Sequence, residues 1–592
     1  MKLADYVMSF LAEKGVKTVF MLPGGGCMHL VDSLGRNKDL DYVCCLHEQA
    51  AAIAAESYAQ HTNNIGVALV TTGPGGTNTI TGVSAAWIDS TPVIFISGQV
   101  KRSDLMGTSG VRQMGPQEVN IVPIVQSITK YATTVTEPQK IKAILEEAYY
   151  LATTGRKGPV WIDIPLDVQA TEIDVDTLVE FVVPKEDNIL DEELINKIKV
   201  SLEKAKRPLI LAGNGIKLAG ASEVLEKLVK QLNVPFLLTW KSIDMVDYDN
   251  DNYFGCPGGM GHRYANFILQ NCDCLLILGS RLDCSLTAFN HENFAPRARK
   301  IMVDIDETEI NKMKMPLEVK FVADVKAVLL ELTKQEYNIS LAEKEDWLKY
   351  CHTMKNKYPV VLPEYYQEQE YINTYLFVEE LCKQLDENDV IVPESSGGAG
   401  EITYQALKVK KGQKIKNAAG LGSMGFGLPY ALGACIANDK KRTILINGDG
   451  AFQLNIQELA TIVQQNLPIK IFIWNNSGYA SIMGTQRNFF EGNYVASNNE
   501  SKLYLPDIVA VAKAYGLKTF KLEDVNEIEE TIKNVLNTEG TVLCEVKVSP
   551  TQITSPRVQA MKLPNGNMIS KPLEDMWPYL PEDEVKGNMI KS

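Results

Sequence analysis

One stretch constrains the fold more than any other: residues 443–479, TILINGDGAFQLNIQELATIVQQNLPIKIFIWNNSGY. A short apolar run over 443–447 ends in Gly448-Asp449-Gly450. Phe452, Ile456, Leu459, Ala460 and Val463 then recur at spacings of three and four, which predicts a helix. A second apolar run over 469–474 stops at Asn475-Asn476. Two parallel strands joined by a helix form a right-handed crossover, so both strands end at the same edge of the sheet. Asp449 and Asn476, 27 positions apart, are thereby expected side by side where open α/β sheets bind ligands.

A carboxylate and a carboxamide oxygen meeting there suit a hard divalent cation. Mg²⁺ takes a few protein oxygens and completes its shell with phosphate oxygens and water. Gly448 and Gly450 let backbone approach closely, and the helix start beyond them offers free N–H groups to an anion. The chemistry implied is a metal-bound diphosphate. The same residues also read as an ordinary βαβ unit whose turn happens to spell GDG.

The segment resembles the signature of thiamine diphosphate (ThDP) enzymes: GDG, a gap of under thirty residues, then NN. The resemblance runs over nearly the whole chain and lies nearest the catalytic (large) subunit of acetolactate synthase and its relatives. It implies that Asp449, Asn476 and the carbonyl of Gly478 hold Mg²⁺, with Gly450, Ala451 and Tyr479 also at the coenzyme.

The 592 residues suffice for three or four domains. Apolar residues make up 45% and charged residues 22%, the balance of a globular protein with ample core. A net charge of −14 without a basic cluster argues against nucleic acid or an anionic membrane as partner. Leu3, Val7, Phe10 and Leu11 fit one face of an amphipathic helix that also carries Asp5 and Glu13, which is not the pattern of a signal peptide. No apolar run approaches the roughly 18–20 residues of a membrane span. Eleven cysteines lack any C-x-x-C pair, so a soluble protein of the reducing cytoplasm is expected. Six dispersed histidines suggest no zinc site.

The expected fold class is α/β, with three doubly wound parallel-sheet domains. They are an N-terminal pyrimidine-binding domain over 1–168, a central domain over 190–335 and a diphosphate-binding domain over 366–550; a tail or active-site flap follows over 551–592. Apolar runs over 18–22, 42–46, 67–71, 92–97 and 160–164 alternate with helical stretches, which predicts a mostly parallel first sheet. Glu48 follows the second run in His47-Glu48-Gln49, before an alanine-rich helix. An acid is favoured at any helix start. By resemblance Glu48 is the catalytic glutamate, whose carboxyl hydrogen-bonds the aminopyrimidine and promotes loss of the C2 proton. Leu46 stands where close relatives often carry Arg. Pro74 and Asn78, in TTGPGGTN, resemble the lining of the pyrimidine side; the glycines equally serve a tight strand-to-helix turn.

Gln117 falls where the resemblance places a substrate-side glutamine, with Pro116 in place of the usual Phe. No adjacent histidine pair occurs there, which favours capture of the two-carbon unit by a second carbonyl compound over release of an aldehyde. Residues 170–207 read as a linker and 336–365 as a helical connector. Central-domain runs over 208–212, 274–278 and 300–305 end in Gly213-Asn214-Gly215, Gly279 and Asp306, a weak nucleotide signal. By resemblance this domain corresponds to the one that holds FAD, although Ser285 stands where the pattern has a further Arg. In the third domain Ser396 and Gly397 are expected at the diphosphate. Gly422 corresponds to a backbone acceptor for the coenzyme's amino group, and Met424 to the apolar wedge that folds the coenzyme into its reactive V. Thr485 replaces a tryptophan that shapes the acceptor pocket.

Glu48 and the Mg²⁺ ligands belong to different domains, so the resemblance implies a coenzyme bridging subunits of a homodimer or homotetramer. The expected activity is decarboxylation of a 2-oxo acid, pyruvate first, with transfer of the hydroxyethyl unit to a second carbonyl. Two alternatives stay open: a two-carbon transferase acting on a keto-sugar nucleotide, and a coenzyme-binding regulator without turnover.

Overall fold

The computed structural model describes residues 1–185, 190–338, 341–562, 565 and 568–590. Three sheets follow one another along the chain. The first comprises β1 (Thr18–Met21), β2 (Asp41–Cys44), β3 (Gly66–Val70), β4 (Val93–Gln99), β5 (Tyr131–Thr134) and β6 (Val160–Pro165), ordered β2-β1-β3-β4-β6-β5. The second comprises β7 (Pro208–Ala212), β8 (Phe236–Leu238), β9 (Cys274–Leu278), β10 (Arg299–Asp304) and β11 (Val319–Val322), ordered β11-β10-β9-β7-β8. The third comprises β12 (Val390–Pro393), β13 (Lys414–Ile415), β14 (Thr443–Gly448), β15 (Ile469–Asn475), β16 (Lys518–Leu522) and β17 (Val542–Lys547), ordered β13-β12-β14-β15-β17-β16. Every pairing within them is parallel. Helices cover both faces, so β3, β4, β6, β7 and β9 are buried throughout, as continuous Val/Ile/Leu runs require.

The order reverses between β1 and β3, and again between β12 and β14. The loops leaving such a pair diverge and open a crevice at the carboxyl edge. The first and third sheets are tied through their helices. Glu48–Thr62 crosses Gly427–Ala437, and both contribute to one hydrophobic cluster. The approach is close enough that a Cβ on Gly433 would lie 2.2 Å from the Ala54 carbonyl oxygen, and Ser57 Oγ donates to the Tyr430 carbonyl at 2.7 Å. The alanine run after Glu48 therefore serves backbone proximity.

The helix expected from the spacing of Phe452 through Val463 is broken. Asp449–Gln453 and Glu458–Gln464 are separate, with Asn455 between them at φ 75°. Asn455 Nδ2 donates to Gln49 Oε1 (2.9 Å) and to the Gly425 carbonyl (3.0 Å), so tertiary partners override the helical period. Phe452 and Leu459 keep their buried positions. The N-terminal helix, Leu3–Glu13, buries Leu3, Val7, Phe10 and Leu11 as expected.

In the linker, residues 186–189 lie outside the described residues, and Glu192–Lys204 is helical. The connector holds the helix Leu341–Lys357, with residues 339–340 outside the described set. The tail forms a hairpin, β18 (Ala560–Lys562) and β19 (Met568–Ser570), then a helix, Glu582–Asn588; residues 563, 564, 566, 567, 591 and 592 lie outside the described set. It docks on the central domain through Val558 N, which donates to the Gly259 carbonyl at 2.6 Å.

Candidate active site

β14 and β15 run in register to the pair Gly448 and Trp474, so the residues that follow them step off the edge together. Asp449 is 2% exposed; its Oδ1 accepts from Gly450 N at 2.8 Å and its Oδ2 from Gly478 N at 3.1 Å. Burial pushes its carboxyl up to about 7, against the N–H groups of Gly450, Gly478, Ser477 and Asn476 that hold it down. None of those groups is a cation. Asn476 Oδ1 is buried with no hydrogen-bond partner. Leaving such an oxygen unpaired costs about 1–3 kcal/mol, and a bound cation would relieve both the oxygen and the carboxylate. No cluster of three His, Cys, Asp or Glu is assembled among the described residues. One carboxylate, one carboxamide and a backbone carbonyl form the sparse oxygen set that suits Mg²⁺ with diphosphate.

The surrounding turns fit an extended group. A Cβ on Gly478 would lie 2.3 Å from the Ser497 carbonyl oxygen, whose donor is Tyr479 N at 2.9 Å. A Cβ on Gly450 would lie 2.3 Å from the Tyr479 ring and 3.7 Å from Met424 Cε, so these three residues converge. Ala451 follows Gly450 in the same short helix. Gly397, at φ 68°, caps the helix Gly398–Ala406 after half-buried Ser396; its Cβ position lies 3.3 Å from Ser481 Oγ. Gly422, at φ 64°, turns the segment that carries Met424. Loops after β12, β14 and β15 thus meet at one edge. Thr485 is exposed on the helix Ala480–Phe489 and bonds only its own turn, through the Ser481 carbonyl.

A second group forms at the carboxyl edge of the first sheet. Glu48 opens its helix, is 7% exposed, and accepts from Asn78 Nδ2 at Oε2, 2.9 Å away. Pro74 begins the short helix that Asn78 caps. Gln117 is exposed at φ 64°, and its carbonyl oxygen lies 2.1 Å from where a Cβ on Gly73 would stand. Gln49 bonds to Asn455, and Leu46 N donates to Glu458 Oε1 at 3.0 Å, so this edge abuts the third domain. Among the described residues no hydrogen bond joins Glu48 or Asn78 to Asp449, Asn476 or Met424. One chain presents two half-sites.

Sequence reasoning missed Glu394, although an acid closing the run IVPE was the signal for it. It is fully buried at the end of β12, and burial raises its carboxyl to about 7. It accepts from Ser395 N (2.8 Å) and Gly427 N (3.1 Å), fixing the root of the loop that bears Ser396 and Gly397. Glu118 and Gln99 were missed too, because both hold backbone groups of a loop that no periodicity predicts.

A cavity of about 1170 Å³ lies at the carboxyl ends of the central strands. Gly215, Gly279, Ser285 and Asp304 line it from the central domain, Arg156 from the first and Gly420 from the third. Lys241 Nζ spans all three domains, donating to Asp89 Oδ2 (2.6 Å) and to the Asn417 carbonyl (2.7 Å).

Comparison with known proteins agrees with this layout. Residues 1–124, 195–332 and 396–546 match, in turn, the N-terminal TPP binding domain, the central domain and the C-terminal TPP binding domain of thiamine pyrophosphate enzymes. The chain is 34% identical to the acetolactate synthase large subunit of Cyanidium caldarium, over 95% of this chain and 96% of that one. It is 30% identical to the isozyme 2 large subunit of Escherichia coli K12, over 99% of both. It is 32% identical to a probable large subunit of Methanocaldococcus jannaschii, over 93% of both. Matches of this extent, on a chain whose sheets present these two half-sites, make it a member of the acetolactate synthase large-subunit family of thiamine diphosphate enzymes.

Proposed function

We propose that the chain is a ThDP- and Mg²⁺-dependent carboligase that decarboxylates pyruvate and transfers the hydroxyethyl unit to a second carbonyl compound, acetolactate synthase-like. The observation that carries the proposal is the pairing of β14 with β15, which brings the buried Asp449 carboxylate and, among the described residues, the unpartnered Asn476 Oδ1 to one carboxyl edge of the third sheet.

In this reading Asp449, Asn476 and the Gly478 carbonyl hold Mg²⁺. Ser396, Gly397, Gly450 and Ala451 would hold the diphosphate, Gly422 would offer its carbonyl, and Met424 and Tyr479 would supply apolar support for the coenzyme. When bound, ThDP supplies a nucleophilic carbon and an electron sink for the two-carbon unit left after CO₂ departs. Asn78 holds Oε2 of Glu48, so Oε1 would be the atom to hold or give up a proton toward a bound pyrimidine ring. Pro74 lines that side, and Gln117 orients the acceptor carbonyl. Glu48 and the residues that would hold Mg²⁺ lie on different domains, and the reading includes a homodimer, or a pair of them, with Glu48 of one subunit completing the partner's cleft.

FAD belongs to the same reading. The cavity is large enough for a dinucleotide and takes glycine turns from β7 and β9. Eleven cysteines, all unpaired, suit the cytoplasm. The test is incubation with pyruvate, ThDP and Mg²⁺, with and without other carbonyl acceptors, followed by mass spectrometry. CO₂ together with a ligated product is expected, and flavin absorbance should accompany the pure protein. No CO₂ from any 2-oxo acid would overturn the proposal.

A further inference from the structure

We infer that Glu118 and Gln99 are positioning residues that hold the Gln117 loop in place for acceptor capture; the inference rests on the acceptor-side role proposed above for Gln117. Glu118 is 3% exposed, adjoins exposed Gln117, and has no cationic partner among the described residues. Its carboxylate instead gathers backbone N–H groups from across one loop. Oε1 accepts from Met106 N, while Oε2 accepts from Met114 N (2.7 Å) and Gly115 N (3.3 Å). A neutral amide cannot do this, because its NH₂ would face an N–H where an oxygen is needed.

Gln99 fastens the other side. It ends β4, and its Nε2 is shared between the Val119 carbonyl (2.9 Å) and Oδ2 of buried Asp163 (3.1 Å). Two anchors therefore follow Gln117 directly, at Glu118 and Val119, and the Glu118 carboxylate also holds Met114 and Gly115 before it. Between these held residues Gln117 is kept at φ 64°, a left-handed conformation that is uncommon outside glycine. Its carbonyl is wedged against Gly73, the residue before Pro74, where no side chain would fit. A local strain of this kind persists only where the surroundings enforce it. Gln99 ends β4 at the same carboxyl edge that carries Glu48 and Asn78, so its bond to the Val119 carbonyl ties the Gln117 loop to that edge.

Such positioning matters after decarboxylation. If the acceptor carbonyl is misplaced, a proton takes its place: pyruvate and a proton then yield acetaldehyde and CO₂, where two pyruvates and a proton would yield acetolactate and CO₂. Glu118→Gln and Gln99→Met in the full-length protein, assayed with pyruvate, ThDP and Mg²⁺, should keep CO₂ release within about threefold of wild type. The ratio of acetaldehyde to acetolactate should rise at least about 10-fold, since a misplacement near 1 Å can cost about 100-fold. Glu118→Asp, which keeps the charge on a shorter stem, should restore part of the ratio. Hydrogen exchange supplies the second readout: the amides of Met106, Met114 and Gly115 should lose protection in Glu118→Gln while those of β4 keep theirs. An unchanged product ratio overturns the role in capture, and unchanged exchange overturns the anchor itself. Wild-type protein that releases CO₂ but never ligates overturns the acceptor reading of Gln117, whereas the exchange result still judges the anchor.

Discussion

The first and third sheets have the same strand order and the same register, so they can be compared residue by residue. Thr18 of β1 corresponds to Val390 of β12. The pairings Gly66 with Val93 and Thr443 with Ile469 carry the match across the sheet, and those of Ile94 with Val160 and Lys470 with Val542 complete it. Thr71-Thr72-Gly73 then falls where Gly448-Asp449-Gly450 stands. The position that holds a buried carboxylate in one sheet holds the buried hydroxyl of Thr72 in the other, whose Oγ1 has no hydrogen-bond partner among the described residues. Gln99 falls at Asn475 and Asp163 at Glu545, and both amide–acid pairs are hydrogen-bonded, at 3.1 Å and 2.6 Å. Scaffold and pairings are shared, and the difference lies in what one strand end presents: an acid that suits a cation, or a hydroxyl, with the acid Glu48 set instead on the helix that follows β2.

That division predicts two separable failures. Glu48→Gln should leave coenzyme and Mg²⁺ bound, by equilibrium dialysis, while turnover drops roughly 10²–10⁴-fold, the usual worth of a positioned acid–base group. Loss of binding in step with turnover would show that the two edges do not divide the labour. Asp449→Ala should instead weaken Mg²⁺ retention by more than about 100-fold, because even outer-shell changes at metal sites cost about 10–100-fold. Thr72→Ala, at the matching position, should leave Mg²⁺ binding alone.

The parts legible in the sequence were those whose function needs a fixed residue type at a strand end. GDG with its paired Asn, HEQ before an alanine run, and TTGPGGTN all name their place on an edge. In both the first and the third domain apolar runs of similar length open into glycine turns, and the two sheets share their strand order. Less legible were pieces fixed by tertiary contacts alone. β5 and β16 are half-exposed outer strands with weak hydrophobic pattern, and β13 is two residues long. The break at Asn455 follows from Gln49, about four hundred positions earlier. Glu118 carries no role in the sequence pattern, because the N–H groups that its carboxylate holds come together only in the folded loop.

The amide–acid pairs sharpen the comparison through pH. Asp163 is 1% exposed, and burial raises its carboxyl from 3.8 to about 6, with only the neutral groups of Ser97, Gln99 and Thr134 holding it down. A carboxyl raised on folding binds its proton more tightly in the native state. That contribution is complete below the unfolded value and is lost as pH rises through about 6. Asp163→Asn removes the titration. Wild type should therefore lose on the order of 2–3 kcal/mol relative to the variant between pH 4 and 7.5, at 1.36 kcal/mol per unit. Thermal melts of both proteins across that range are the measurement, and parallel curves would mean that Asp163 does not titrate in the fold.

The smallest effect is expected where the two copies touch. Helices Glu48–Thr62 and Gly427–Ala437 follow matching strands, β2 and β13, and cross with Ala54 against Gly433, each the seventh residue of its helix. A near-symmetric crossing at matched positions needs small residues on both sides, and Gly433 is the smaller because its Cβ would strike a backbone oxygen that no rotamer can move. Gly433→Ala should cost about 1–3 kcal/mol from overpacking, reduced by up to about 1 kcal/mol from better helix propensity. The crossing lies directly behind Glu48, so the substitution should also loosen Gln49 from Asn455, read as faster exchange of the Glu48 and Gln49 amides. If Gly433→Ala melts like wild type with those amides still protected, the helices slide past each other freely, and the half-sites take their spacing from elsewhere.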